Sequence, residues 1–388
     1  MTQRILDSVD ERGVVDFLRM LVRTPSLSGE EDEVAEVVAK EMEAVGLSVE
    51  NIGGNVIGKT ALGREARLVL NGHMDTVPVG DESRWSYDPF GADMEGGRVY
   101  GRGSCDMKGG VAAMVRAYDA LRRAGVDVDG LLVTAVVQEE SPKKLSERKG
   151  TIELIDRKVI SGDAAVIGEP TGLGVGIGHR SRAEFDIEIR GRSAHASTPS
   201  LGVNAILKAA RVVLALERVG LKEHPVLGKG TINVGLIEGG TKPNMVPDAC
   251  RVVVDRRLTM GETPDTALAD IERVIGELRD KDRDLVADVR CTYGWCPTLI
   301  SEDEPIVKAL CEAATIVFRR EPRIYIPPYH TDGGFIHHMT EMPIAILGPG
   351  NEKDAHTADE YVEISQVIDA TKIYALTIAK FFSRQFEH

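Results

Sequence analysis

Four short apolar runs, at 68–70, 131–137, 164–167 and 343–347, each lead into a loop that carries histidine or carboxylate. His73 and Asp75 follow the first run, Glu139 and Glu140 the second, Glu169 the third, and His356 lies beyond the fourth. Helical spacing fills several of the intervals, as at Val14 to Val22 and Val111 to Arg123. Ser28 and Glu31 read as a capping box that opens a further helix, with Val34, Val37, Val38, Met42 and Val45 on its stripe and Gly46 as its stop. Short buried strands alternating with helices predict an α/β sheet covered on both faces. Open sheets of that kind gather their sites outside the carboxyl ends of the strands. Asp106 joins the set from the glycine-rich turn Gly101–Gly110, which opens the helix at Val111.

The middle of the chain has a different period. Ala183 to Arg190 alternates every second residue, as a half-exposed strand does. Strand patterns recur at 231–237, 251–258 and 284–291, and helical patterns at 204–219 and 266–279. One-faced strands with two helices describe an α+β layer inserted into the first domain. The expected organisation is a catalytic α/β domain formed by 1–179 and 293–388, with 180–292 inserted.

Two imidazoles with several carboxylates form an N/O donor set that suits Zn²⁺, with Co²⁺ or Mn²⁺ as substitutes. The chain contains no G-x-S-x-G elbow, and its five cysteines are too scattered for a disulfide framework. Cys105 reads as a small packed residue. Forty-seven Lys+Arg against 61 Asp+Glu give a net charge of −14, which argues against a nucleic-acid binder and disfavours attachment to anionic membranes. No apolar run approaches bilayer length and the first residues lack a signal-peptide pattern, so the expectation is a cytoplasmic protein. Gly172–Gly178 opens no helix and fails as a dinucleotide loop, and Gly101–Gly110 has its lysine on the wrong side of Gly109 for a phosphate loop. His337 and His338 read as helix-surface residues.

The segments Gly72-His-Met-Asp-Thr-Val-Pro78, Gly101–Gly110, Gln138-Glu-Glu140, Gly168-Glu-Pro-Thr171 and Ala355-His-Thr-Ala-Asp-Glu360 resemble the metallopeptidase M20 family, in order and over nearly the whole chain. The branch they resemble most holds acetylornithine deacetylases and succinyl-diaminopimelate desuccinylases. The resemblance implies a zinc-exopeptidase-like α/β domain with an inserted, ferredoxin-like α+β lid and dimerisation domain. It further implies two zinc ions bridged by Asp106, one completed by His73 and Glu169, the other by Glu140 and His356. Glu139 would be the general base, and Asp75 would orient His73. The H-x-D spacing allows that contact, because residues two apart in an extended segment point the same way.

In the inserted region, Gly191–Pro199 resembles the family segment whose histidine, here His195, stabilises the oxyanion from the partner subunit of a homodimer. Asn244 and Arg256 match contacts to the substrate carboxylate, with Arg257 as the alternative to Arg256. Thr331–Gly334 resembles a loop near the substrate and receives no role. Glu169, where many aminopeptidase relatives carry Asp, favours N-acyl amino acids over peptides. The basic loop 141–150 resembles somewhat the relatives that release lysine or ornithine from a carrier protein, although solvent is its simplest neighbour. The expected activity is therefore hydrolysis of the amide bond of an N-acyl amino acid by metal-activated water. The rivals are an M20 dipeptidase or carboxypeptidase, a carrier-bound lysine or ornithine hydrolase, and a catalytically silent binding protein.

Overall fold

The structure is a computed structural model that describes residues 1–60, 65–140 and 150–383. The chain divides into two compact units: Met1–Gly178 with Ile300–Pro327 and Thr331–His388, and His179–Leu299 with Pro328–His330. The basic loop falls almost wholly on 141–149, outside the described residues.

The first unit is built on an eight-stranded sheet. Its strands run in the order Ser48–Ile52, Asn55–Lys59, Leu131–Val136, Leu68–His73, Ala164–Ile167, Ile344–Ile346, Val175–Gly176, Ile324–Tyr325. The four central strands, from Leu131–Val136 to Ile344–Ile346, are mutually parallel. Every residue of these four strands is buried, as a sheet covered on both faces requires. Helix Gly109–Arg123 packs against Ile364–Ser383 and Glu11–Arg23. Its Arg116 and Asp119 are buried by pairing with each other at 3.0 Å, and Arg116 also meets Asp10 and Glu41. Gly110 and Gly348 both lie where a Cβ would run into the Gly168 carbonyl, so three segments close on one another at the strand ends only because two of them are glycine.

The predicted capping box does not form. The helix begins at Asp32, and Glu31 makes no cap hydrogen bond. Ser28 instead donates to Asp75 Oδ2 at 2.5 Å, while Glu31 Oε1 accepts from Gly29 N at 2.8 Å and Gln138 N at 3.0 Å. Both side chains serve tertiary contacts that local spacing does not reveal.

The second unit is a four-stranded antiparallel sheet ordered Thr231–Gly239, Ala249–Leu258, Ser181–Arg190, Val286–Gly294. With helices Ala205–Leu216 and Pro264–Arg279 the element order is βαββαβ, the ferredoxin-like arrangement. Alternate residues Phe185, Ile187, Ile189, Val252 and Val254 face the two helices and form its core with Val212, Ile271 and Ile275. The opposite face carries a ladder of ion pairs, among them Arg182–Asp255 at 2.6 Å, Arg251–Asp186 at 2.9 Å and Arg190–Asp288 at 2.7 Å. Among the described residues, no helix is long and apolar enough to cross a membrane.

Candidate metal centre

The carboxyl ends of the parallel strands assemble a cluster of imidazoles and carboxylates. His73 closes its strand and is 1 % exposed. Its Nδ1 lies 3.0 Å from the Asp75 backbone oxygen and 3.5 Å from Asp75 Oδ1, which places the ring proton there and turns Nε2 into the cluster. His73 Nε2 is 3.1 Å from Asp106 Oδ1 and 3.8 Å from Glu169 Oε1. The other oxygen of Asp106, Oδ2, is 3.2 Å from His356 Nε2, and that nitrogen is 2.7 Å from Glu140 Oε1. One carboxylate thus lies between two imidazoles, an oxygen toward each. One donor atom from each of His73, Asp106 and Glu140 falls within 4.8 Å of the others, the spacing of a metal-ligand group.

Asp75 does more than orient a ring. It is fully buried, and its oxygens accept from Glu139 N at 3.0 Å and Glu140 N at 2.9 Å as well as from Ser28. A single side chain therefore fixes both the His73 strand end and the Glu139–Glu140 turn. Gln138 and His356 adopt positive φ, 60° and 59°, and such backbone strain in non-glycine residues collects at functional sites.

The electrostatics follow from crowding. Burial pushes the Glu139 carboxyl well above its usual range, and the neighbouring Glu140 adds to the shift. Burial does the same to Glu169, reinforced by Asp106. Burial alone would raise Asp106, but its contacts to His356 and His73 outweigh it and hold the carboxyl low. Asp106 and Glu140 raise His356 to about 10. Glu140, His73, Asp332 and Asp75 are the groups that act most strongly on Glu139, and no lysine or arginine is among them. A surplus of carboxylate with two imidazole nitrogens turned onto it is the donor chemistry of a divalent cation, and the residues present fit one.

The remaining expected residues lie on the second unit. His195 is exposed, with Nδ1 2.7 Å from Ser197 Oγ, and pairs through its backbone with Met245. The backbone oxygen of Asn244, also an exposed residue, accepts from Ala196 N at 3.1 Å, so Asn244 lies beside the His195 segment. The expectation for Arg256 is corrected. Its side chain is 0 % exposed, with Nη2 2.6 Å from Glu262 and 3.0 Å from Asp270, and it presents no free guanidinium to a substrate. Arg257 is partly exposed but already meets Asp255 at 3.0 Å. His337 and His338 lie on helix Gly333–Thr340, where His337 Nδ1 meets Met342 O at 2.9 Å. Cys105 is buried, its thiol directed to Asn351 O.

Residues 69–380 match the sequence profile of peptidase family M20/M25/M40, and the chain belongs to that family. It is 34% identical over 382 residues to the uncharacterised protein YgeY of Escherichia coli K12, covering 92% of each chain. It is 30% identical over 366 residues to the N-formyl-4-amino-5-aminomethyl-2-methylpyrimidine deformylase of Bacillus subtilis, covering 86% of this chain and 84% of that one. An acetylornithine deacetylase of Vibrio atlanticus is 28% identical, with 95% and 97% covered. Among solved structures, the aminopeptidase PepT of Bacillus cereus aligns over 97% of this chain and 100% of its own, with a TM-score of 0.78 and 22% identity. YXEP of Bacillus subtilis, described as a dinuclear metal binding peptidase, aligns over 95% and 97% with a TM-score of 0.73 and 15% identity. The chain is therefore an M20 hydrolase of the class that acts on amide bonds.

Proposed function

We propose that the chain is a dinuclear zinc amidohydrolase that cleaves the amide bond of an N-acyl amino acid. The observation that carries this reading is Asp106, with one oxygen toward His73 and the other toward His356. His73 and Glu169 would complete one Zn²⁺ site, and Glu140 and His356 the other, with Asp106 shared and Co²⁺ or Mn²⁺ as substitutes. The bound ions would supply Lewis acidity to the scissile carbonyl and to the attacking water.

Glu139 takes the proton of that water and returns it to the leaving amine. Burial beside Glu140 suits it to this task, since a carboxylate raised toward neutrality is a stronger base and a usable acid. Asp75 holds the Glu139 backbone and the His73 ring in a fixed relation. His195 donates to the developing oxyanion, and Asn244 beside it contacts the substrate carboxylate. Glu169 favours the deacylase over the dipeptidase reading.

A homodimer joined through the inserted unit is supported by two features. Strand Thr231–Gly239 lies at the end of its sheet, with Leu236 and Ile237 39% and 51% exposed. On helix Ala205–Leu216, Leu207 and Leu214 are 60% and 65% exposed. Apolar side chains on a sheet edge are the pattern of a surface that a second copy covers. Free cysteines throughout agree with a cytoplasmic location.

The test is a panel of N-acetyl, N-succinyl and N-formyl amino acids and dipeptides, assayed with added Zn²⁺ or Co²⁺. Turnover of N-acyl amino acids well above dipeptides supports the reading. Preference for dipeptides favours the peptidase alternative, and inertness toward the whole panel favours a silent binding protein.

A further inference from the structure

Glu360 is 1% exposed and spends both carboxylate oxygens inside the protein. Oε1 accepts from the backbone N–H groups of Cys105 at 3.0 Å and Asp106 at 3.1 Å. Oε2 pairs with Arg102 Nη1, whose side chain is 3% exposed. The Glu360 carbonyl accepts from Gly101 N at 2.8 Å, so the same residue grips both ends of the turn 101–106. Arg102 is held in place by its own N–H to Pro89 O at 2.8 Å and by the Trp85 ring, 5.1 Å from its guanidinium carbon. The preceding residue, Asp359, accepts from Ser86 N at 2.6 Å. Glu360 lies four residues beyond His356, at the end of the segment that carries that imidazole, and Cys105 Sγ meets Asn351 O at 3.3 Å at the segment's start.

We propose that Glu360, with Arg102 as its counter-ion, is a positioning residue that locks the Asp106 turn to the His356 segment and so sets the spacing of the two ligand-bearing loops. This inference rests on the metal-centre reading given above. Glu360 does not face the cluster as a ligand would, because both of its oxygens are engaged inside the protein, Oε1 by two amides and Oε2 by a guanidinium. It places a second buried carboxylate next to Asp106, an arrangement that Coulomb repulsion disfavours and that the Arg102 charge offsets. What the arrangement supplies is charge-assisted hydrogen bonding to the backbone of Asp106, which fixes where both oxygens of that side chain point. Partners that orient metal ligands typically contribute about 10–100-fold to metal affinity or activity.

The experiment compares three variants of the full chain with wild type. Glu360→Gln removes the charge. Arg102→Met with Glu360→Gln removes both charges, and is read in its place where the single change leaves an unpaired buried guanidinium and prevents folding. Glu262→Gln removes the charge from another fully buried Arg–Glu pair, Arg256–Glu262, in the second unit, and serves as the matched control. Zn²⁺ affinity is measured by competition with a chromophoric chelator, and the Co²⁺ protein is compared by visible absorption.

The expected result is a loss of about 10–100-fold in Zn²⁺ affinity at one equivalent. An altered Co²⁺ spectrum and a kcat that falls while KM stays within about threefold should accompany it. Glu262→Gln should lower thermal stability yet keep wild-type affinity and spectrum. Wild-type affinity and spectrum in the folded Glu360 variants would overturn the inference. So would an equal loss in Glu262→Gln, which would make the effect a general loosening. Failure of the wild-type chain to bind Zn²⁺ would overturn the metal-centre reading itself.

Discussion

The carboxylates at the strand ends of the first unit and those on the four-stranded sheet of the second differ in what answers their charge. On the sheet Asp255 meets Arg182 and Asp186 meets Arg251, and in the turn that leads into it Asp282 takes Lys208 through both oxygens at 2.6 Å and Arg211 at 2.6 Å. At the strand ends half-buried Glu139 and buried Glu169 are crowded by other carboxylates, and His73 is the cationic group that acts most strongly on both. The first pattern is complete within the chain and reads as structure. The second is complete only with a cation, because several buried acids cannot all stay ionised without one. Charge by itself does not mark a site. Charge without a partner in the fold does.

The comparison is broken most severely through Glu139. Glu139→Gln should reduce turnover by about 10²–10⁴-fold, the usual contribution of a general acid–base, while the two-metal content is kept. Metal analysis alongside steady-state kinetics checks it, and loss of both metals or near-normal turnover would reassign the residue.

Next in size is His195, which belongs to the other unit. His195→Ala should lower kcat by about 10²–10³-fold as an oxyanion donor. Mixing it with Glu139→Gln under conditions of subunit exchange should restore part of the activity if His195 acts in trans, because a mixed dimer then contains one intact site. No recovery despite proven mixed dimers would place His195 in cis or outside the chemistry.

The smallest effect lies on the paired side. Lys208 and Arg211 hold the Asp282 carboxyl below its usual range. A lowered native pKa means that the ionised form is favoured by folding, so its stabilisation is present at neutral pH and lost as pH falls through the native pKa. Asp282→Asn should therefore destabilise by about 0.2–1 kcal/mol at pH 7, solvent screening keeping it small, and by nothing once the wild-type carboxyl is protonated. Thermal unfolding across pH measures this, and metal affinity should not change with it.

Both layers of the fold were legible because each has its own period. The fully buried runs at 68–70 and 164–167 and the alternating Ala183–Arg190 announce a covered parallel sheet and a one-faced antiparallel one. The same alternation, applied to Val252, Val254, Arg256 and Leu258, places Arg256 on the inward face with its apolar neighbours. The family resemblance drew it outward, and the pattern was the better guide.

What spacing could not show are contacts between distant segments. Ser28 and Glu31 have the spacing of a helix cap but bind Asp75 and the Gln138 backbone, partners 47 and 107 residues away. The hold of Glu360 on Asp106 spans 254 residues, and nothing local in either segment signals it. Strand ends shifted for the same reason: the pattern at 284–291 became Val286–Gly294 because pairing with Ala183–Arg190 sets its limits.

The central claim, that the acids gathered around Asp106 and the two imidazoles form a two-cation centre, is tested most directly by titrating the metal-stripped chain with Zn²⁺ in a calorimeter. Wild type should take up two equivalents with release of protons, since Asp106 and Glu140 raise the His356 pKa and the imidazole must be neutral to bind a metal. Asp106→Ala, which removes a side chain that faces both imidazoles, should lose tight binding at both positions. Wild-type binding of fewer than two equivalents, or two tight equivalents retained in Asp106→Ala, would contradict the account.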